Sequence, residues 1–357
     1  MMTIAELRQL VMQWDLHDSV EQMEATSQYQ AMLDRLEWFG STEWANYLPA
    51  RDPKHSRNYL FRLAQWVGNV ESEENRKLLL EFALRVGFLS HEDLCSLYHS
   101  ALAGPITRWI VELERFTLDD PLFSERLEEE VHHRTWYCPI TDSMDINEFY
   151  HVNHIVGVRH RPSFTLLKML DRPANDGEDA MSRVITNVKR FIEDPNGRGT
   201  APPLKRIVLL EDFVGSGTQA AGALEWALKN LEVPVLFVPL VICAPGMDKL
   251  SELDNQRLKI SPMLKLETCD LLGPKRNGAE GIPKAELLEE LAENTFKQLA
   301  GENHNDENLA PHTPFGFQKT GSYFVSYSNA PNNTLPMIHH VSVAGDWWPL
   351  FPRSARL

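Results

Sequence analysis

The stretch that decides the fold runs from Ile207 to Gln219 and reads IVLLEDFVGSGTQ. An apolar run leads into two adjacent carboxylates, Glu211 and Asp212, and then into a loop rich in glycine. Small and apolar residues at helical spacing follow, and a second apolar run occupies 233–242. A strand, a glycine loop, a helix and another strand in this order are typical of a βαβ unit. The pattern therefore predicts an α/β fold with a parallel sheet.

The glycine loop has the chemistry of a phosphate site. Ligands of open α/β sheets bind at the carboxyl ends of the strands. Glycines let several backbone N–H groups point inward, and the dipole of the following helix favours an anion. We therefore predict that the loop and the start of the helix bind phosphate through Gly215, Ser216, Gly217, Thr218 and Gln219.

The two carboxylates before the loop are the candidate catalytic residues. Negative charge beside a phosphate site is unfavourable unless the carboxylates face sugar hydroxyls or a divalent cation that also holds phosphate oxygens. Glu211 and Asp212 therefore predict a site for a sugar phosphate, with Mg²⁺ as the cation and Asp212 as its indirect ligand.

Three other motif classes fit less well. A P-loop needs a lysine before the Ser/Thr, and the chain has none there. Residues 215–220 match a dinucleotide fingerprint, but the next apolar run ends without the required acidic residue. Residues 213–218 resemble the cofactor loop of amino-group DNA methyltransferases, yet Asp212 replaces their proline and their catalytic Pro-Pro-aromatic segment is absent. An S-adenosylmethionine-dependent methyltransferase stays as the third alternative.

The motif resembles most the phosphoribosyl-pyrophosphate signature of type I phosphoribosyltransferases, in which apolar residues flank an acidic pair that precedes a small Gly/Ser/Thr loop. This resemblance implies that Glu211 and Asp212 hold the ribose hydroxyls, while residues 215–218 bind the 5′-phosphate. Many members carry other residues where Gly215 and Gln219 stand, so an enzyme and a non-catalytic nucleotide sensor or partner-binding scaffold both stay open.

The carboxyl-terminal part resembles one divergent branch of that family. Residues 328–337 and 347–353 are similar to the tail of the phosphoribosyltransferase-like PRTase-CE proteins, which are predicted in prokaryotic conflict systems. The resemblance implies a type I phosphoribosyltransferase-like, mainly parallel sheet preceded by an all-helical domain. It also implies an effector or regulator role in antiphage or retron-type defence, and it leaves the acceptor substrate open.

An arginine pair follows a short apolar run at 155–158. In phosphoribosyltransferases an early strand ends in a loop that takes the pyrophosphate, and Arg159 and Arg161 would suit that role. The alternative is a solvated basic turn. We treat this pair as a possible pyrophosphate loop.

The predicted organisation has three parts. Helical spacing and capping patterns indicate an all-helical domain at 1–115 and an α/β domain at 135–357. The acidic stretch between them, 116–134, is predicted to be a linker or a solvated helix. Regions 172–204 and 270–283, rich in Pro, Gly and Asn, are predicted loops.

Composition narrows the functional classes. The 357 residues include 50 acidic and 35 basic ones, a formal net charge of −15, which disfavours a general nucleic-acid coat or an anionic-membrane binder. The four cysteines form no C-x-x-C pair, and the start shows no signal sequence. We expect a reduced cytoplasmic protein whose helical domain can engage a protein partner.

Overall fold

The computed structural model describes residues 1–22, 27–52, 54–155, 178–273, 282–300, 312–342 and 346–354. Its helices are α1 (Ile4–Gln22), α2 (Gln28–Ser41), α3 (Tyr59–Val67), α4 (Glu73–Ala83), α5 (His91–Ala101), α6 (Thr107–Glu114), α7 (Phe123–His132), α8 (Ile146–Val152), α9 (Glu178–Glu193), α10 (Thr218–Asn230), α11 (Ala244–Ser251), α12 (Ala285–Ala300) and α13 (Pro336–His339). None of the helices in these ranges is long and apolar enough to cross a membrane.

Strands β2 to β6 form a parallel five-stranded sheet. The strands are β1 (Gly87–Leu89), β2 (Thr135–Pro139), β3 (Arg206–Val214), β4 (Val235–Cys243), β5 (Leu258–Ile260), β6 (Leu264–Leu266), β7 (His312–Thr313), β8 (Gly316–Phe317) and β9 (Phe324–Ser326). The order is β2-β3-β4-β5, and β6 pairs with the carboxyl end of β4. β2 and β4 are buried throughout, as expected of parallel strands covered on both faces. The predicted α/β fold with a mainly parallel sheet is confirmed.

Helix α10 makes the crossover from β3 to β4. It buries a face of small residues that includes Ala220, Ala223 and Ala227, so its backbone can lie close to its neighbours. The predicted βαβ unit is therefore confirmed. The apolar run that predicts this strand ends at Leu210, and β3 continues from there to Val214. The two carboxylates consequently lie within the strand.

Some local predictions were wrong. Helix α9 lies inside the predicted loop 172–204, where Val184 and Val188 are buried. Their helical spacing was outweighed by the Pro, Gly and Asn residues on either side. The region 1–115, predicted as all-helical, contains strand β1, which pairs with β9. The predicted strand at 155–158 lies outside the described residues except for Ile155, which is not in a strand.

The chain divides into two compact units. We name Leu94–Leu266 the sheet unit and the combination of Met1–Asp93 with Glu267–Leu357 the helical unit. This division does not follow the predicted boundaries at 115 and 134, and the segment predicted as a linker or a solvated helix contains helix α7. The difference arises because segments that are far apart in sequence pack together within each unit, which local sequence patterns do not reveal.

A buried charge cluster joins α6 and α7 to the start of β3 in the sheet unit. The Arg206 side chain is 1% exposed, and its guanidinium pairs with Glu114 and, at 2.7 Å, with Glu130. Lys205 pairs with the same two carboxylates. Because removing one partner would leave a buried charge unpaired, these helices belong with the sheet.

The tail of the chain packs among aromatic side chains of the amino-terminal helices in the helical unit. The ring centroid of buried Phe351 lies 5.4 Å from that of Trp44 and 5.3 Å from that of Tyr47. Buried Arg62 donates a hydrogen bond of 2.9 Å to the Leu350 carbonyl. The tail therefore shares a core with the first helices and lies outside the sheet unit.

Candidate functional site

The acidic pair lies near the carboxyl end of β3, where a parallel sheet places its ligands. Glu211 is only 5% exposed, whereas Asp212 is half-buried. Consecutive side chains of a strand leave opposite faces, which accounts for this difference. Asp212 is therefore the more accessible carboxylate.

The loop after β2 binds both carboxylates. The Thr141 N–H donates to Glu211 Oε2 at 3.0 Å, and the Thr141 hydroxyl donates to Glu211 Oε1 at 2.6 Å. The Ser143 hydroxyl donates to Asp212 Oδ1 at 2.9 Å. The acidic pair is thus arranged to accept hydrogen bonds from hydroxyl groups, which is also what a sugar offers.

The glycine loop requires glycine for two reasons. Gly217 has a φ of +77°, in the left-handed region that favours glycine. A Cβ on Gly217 would lie 2.9 Å from the Gly246 carbonyl oxygen, and a Cβ on Gly246 would lie 2.6 Å from the Gly215 carbonyl oxygen. The loop and the start of α11 therefore touch backbone to backbone.

The predicted phosphate-binding residues come together at the start of α10. Gly217 is the N-cap and provides no capping side chain, and Thr218 and Gln219 are exposed in the first turn. The first N–H groups of any helix have no acceptor within the helix and carry the positive end of its dipole. Gly215, Ser216 and Gly217 connect this helix end directly to the acidic strand.

A lysine that the sequence analysis missed contacts the same loop. Lys249 of α11 places its Nζ 3.1 Å from the Thr218 hydroxyl oxygen. The ammonium group adds positive charge beside the first turn of α10, which favours a phosphate at this position. The sequence pattern did not indicate Lys249, because this residue follows the next strand and is far from the glycine loop in sequence. The signal present was the nearby Gly246, whose lack of a Cβ lets the start of α11 approach the glycine loop closely.

Thr141 and Ser143 were missed because β2 was not predicted. The signal was present in Thr135, Trp136 and Tyr137, which are residue types that favour strands. Arg159 and Arg161 lie outside the described residues, so the pyrophosphate loop stays a prediction.

A family model described as PRTase-CE matches residues 63–353 of the chain. The chain belongs to the PRTase-CE family. No curated protein and no solved structure matches it. The PRTase-CE match includes the whole sheet unit and the tail segments 328–337 and 347–353, so the predicted family is confirmed. This PRTase-CE chain is a phosphoribosyltransferase-like protein.

Proposed function

We propose that this PRTase-CE protein binds a phosphorylated ribose, with phosphoribosyl pyrophosphate as the reference ligand, at the carboxyl end of β3. The ribose hydroxyls would contact Glu211 and Asp212, and the 5′-phosphate would contact residues 215–219. The observation that carries this proposal is the direct succession of acidic strand, glycine loop and helix N-terminus. The carboxylate oxygens that can accept hydrogen bonds from ribose hydroxyls are thereby next to the backbone N–H groups that can donate hydrogen bonds to phosphate.

Lys249 strengthens the phosphate assignment. Its ammonium group already contacts the Thr218 hydroxyl at the start of α10. A phosphate bound at this helix end would replace a neutral hydroxyl with a dianion as the partner of that lysine. The contact would then be charge-assisted and stronger.

The residues at the site fit a magnesium ion. The donors near Asp212 are oxygens, including the hydroxyls of Thr141 and Ser143, and no sulfur ligand is among the contacts described. Mg²⁺ is usually held by one or two carboxylates together with phosphates of the ligand. We propose that Asp212 holds the ion indirectly, and that the ion neutralises charge on the pyrophosphate.

An enzyme would transfer the phosphoribosyl group. The bond between C1 of the ribose and the pyrophosphate oxygen breaks, and its electron pair leaves with pyrophosphate. A lone pair of the acceptor forms the new bond at C1. The carboxylates would hold the hydroxyls in place while positive charge develops at C1.

A non-catalytic nucleotide sensor or scaffold is the second candidate. This candidate is supported by the hydrogen bonds that the loop after β2 already donates to the acidic pair. A ribose would have to share the two carboxylates with the hydroxyl groups of Thr141 and Ser143, or displace those groups. Membership of the PRTase-CE family supports a place for either version as an effector or regulator in a prokaryotic defence system. We further propose that a protein partner binds through the amino-terminal helices.

Calorimetric titration with phosphoribosyl pyrophosphate, with and without Mg²⁺, tests the ligand proposal. We expect binding that requires Mg²⁺ and that weakens at least about tenfold, or ~1.4 kcal/mol, in Asp212→Asn. Asp248→Asn is the matched control, because this exposed residue of α11 undergoes the same chemical change next to Lys249. Lack of binding to the unmodified protein would contradict the proposal.

Two further assays separate the alternatives. Release of pyrophosphate in the presence of candidate acceptors, lost in Asp212→Asn, identifies an enzyme, whereas tight binding without release identifies a sensor. Plaque counts on cells that express the protein in its native gene context test the defence role. Equal protection by the unmodified protein and by Asp212→Asn would disconnect that role from the site.

A further inference from the structure

A cavity of about 470 Å³ lies in the helical unit, away from the acidic strand in sequence. It is formed by α2, the end of α4 and the residues just before α12. The residues that line it include Met32, Arg35, Glu81, Leu84, Arg85 and Lys284. Its volume is in the range of small-molecule sites, which hold about 300–1,000 Å³.

Positive charge exceeds negative charge in this cavity. Lys284 places its Nζ 2.7 Å from both carboxylate oxygens of Glu81, so these two charges offset each other. Arg35 and Arg85 have no carboxylate partner within the parts of the chain that the structure describes. This is unexpected in a chain of 50 acidic and 35 basic residues, where a carboxylate is easily placed near an arginine.

The two arginines differ in how they are held. The Arg35 guanidinium lies over the Phe39 ring, 5.4 Å from its centroid, which restricts the long side chain before any ligand binds. Arg85 follows the end of α4 and has no such ring contact among the described residues, while both arginines are exposed. A guanidinium binds phosphate through two parallel hydrogen bonds, and a restrained one loses less entropy in doing so.

Apolar side chains complete the cavity. Met32 and Leu84 are half-buried and form an apolar wall of the cavity. A bare inorganic anion bound here would leave this wall in contact with water. Burial of an apolar group against this wall adds favourable free energy in proportion to the area covered. An occupant with an anionic head and an apolar body matches both halves of the cavity.

We propose that this cavity is a second binding site, for a small organic phosphate whose phosphate group contacts Arg35 and Arg85 and whose apolar part covers Met32 and Leu84. The site is independent of the ribose site in the sheet unit. It uses no residue of the acidic strand or of the glycine loop.

Phenyl phosphate is the probe, because it has a phosphate head and an apolar body but no sugar hydroxyls. We expect it to bind at least several-fold more tightly than inorganic phosphate and to slow hydrogen exchange in α2 and α4. The double substitution Arg35→Gln with Arg85→Gln should weaken binding at least tenfold. Arg51→Gln with Arg57→Gln, an equal loss of charge at exposed positions of the same unit, should leave it unchanged.

Glu81→Gln supplies a test of opposite sign. Removing this carboxylate releases Lys284 to the phosphate, so phenyl phosphate should bind more tightly. The proposal is overturned by equal losses in the two arginine pairs, which would indicate a general charge effect. It is also overturned if Lys249→Gln abolishes binding while the Arg35/Arg85 pair does not, because the probe would then occupy the glycine loop.

Discussion

The hydroxyl oxygens of Thr141 and Ser143 lie 2.6 Å apart, and each is bonded to a different member of the acidic pair. Neighbouring hydroxyls are also what a ribose presents. The loop after β2 thus presents two neighbouring hydroxyl groups to Glu211 and Asp212, as a ribose would. Any ribose that binds here must therefore compete with this loop or extend its hydrogen-bond network.

The two carboxylates should differ in their contribution to stability. Glu211→Gln replaces one acceptor oxygen with an NH₂ group that faces a Thr141 donor in a buried place, so the free energy of unfolding should fall by about 1–3 kcal/mol. Asp212→Asn should cost less than about 1 kcal/mol, because Asp212 is half-buried and its surroundings can relax. Urea denaturation measures both, and a larger loss for Asp212→Asn would contradict this ranking.

Gly246→Ala should damage the loop. Its Cβ would lie 2.6 Å from the Gly215 carbonyl oxygen, so the glycine loop or α11 must move, and we expect a loss of about 1–3 kcal/mol together with weaker ligand binding. Gly222→Ala in α10 is the control, because nothing lies within 4 Å of its Cβ. It should stabilise the protein by about 0.5–1 kcal/mol. Thermal unfolding and the same titration check both, and equal behaviour would refute the close contact.

Breaking the buried charge cluster should unfold the sheet unit more easily. Glu130→Gln removes one of the two carboxylates that pair with Arg206, whose side chain is 1% exposed, and we expect a loss of about 2–3 kcal/mol. Glu112→Gln is the comparison, since its pair with Lys259 has side chains 51% and 45% exposed and should contribute less than about 1 kcal/mol. Chemical denaturation measures the free energy of unfolding of both variants. Similar losses in the two would mean that burial of the cluster does not add to its contribution to stability.

Alkaline pH should destabilise the helical unit through Tyr59. Burial raises the pKa of Tyr59 well above its usual value of 10, while the unfolded chain keeps that ordinary value. Above pH 10 the unfolded state therefore loses the proton first, and stability falls by up to about 1.4 kcal/mol per pH unit. Tyr59→Phe should flatten this decline.

The same substitution should be harmless at pH 7. The Tyr59 hydroxyl is buried with no hydrogen-bond partner among the described residues, so its removal costs no bond. Tyr47→Phe should also flatten the alkaline decline, but it loses the bond of 2.8 Å to the Pro352 carbonyl and should be less stable at pH 7. Unfolding curves from pH 7 to pH 11 separate the two variants. An unchanged alkaline slope in Tyr59→Phe would remove Tyr59 as the cause.

The sequence could predict the βαβ unit and its loop because their information is local. The apolar runs of β3 and β4 and the glycines at 215 and 217 are read within one short window. Capping residues are equally local: Ser72 caps α4, and Ser90 and Asp93 bond reciprocally at the start of α5, as their patterns predict. Such features depend on neighbours a few residues away.

Lys249 and Thr141 could not be predicted in the same way. Each contacts the site across a strand or a crossover, so its role depends on the sheet order and not on adjacent residues. The two compact units were hidden for a related reason. Ion pairs of Arg206 and aromatic contacts of Phe351 join parts of the chain that are far apart in sequence.

The helical unit is assembled from both ends of the described chain, with strand β1 paired to β9 and Phe351 buried against Trp44. During synthesis on the ribosome, the amino-terminal helices therefore emerge long before the residues that cover their aromatic side chains. Until residues 324–351 leave the exit tunnel, Trp44 and Tyr47 lack their final partners, whereas every strand of the sheet unit has already been made. The nascent protein thus has an interval in which its first helices need protection from aggregation, and the emergence of residues 324–351 ends that interval.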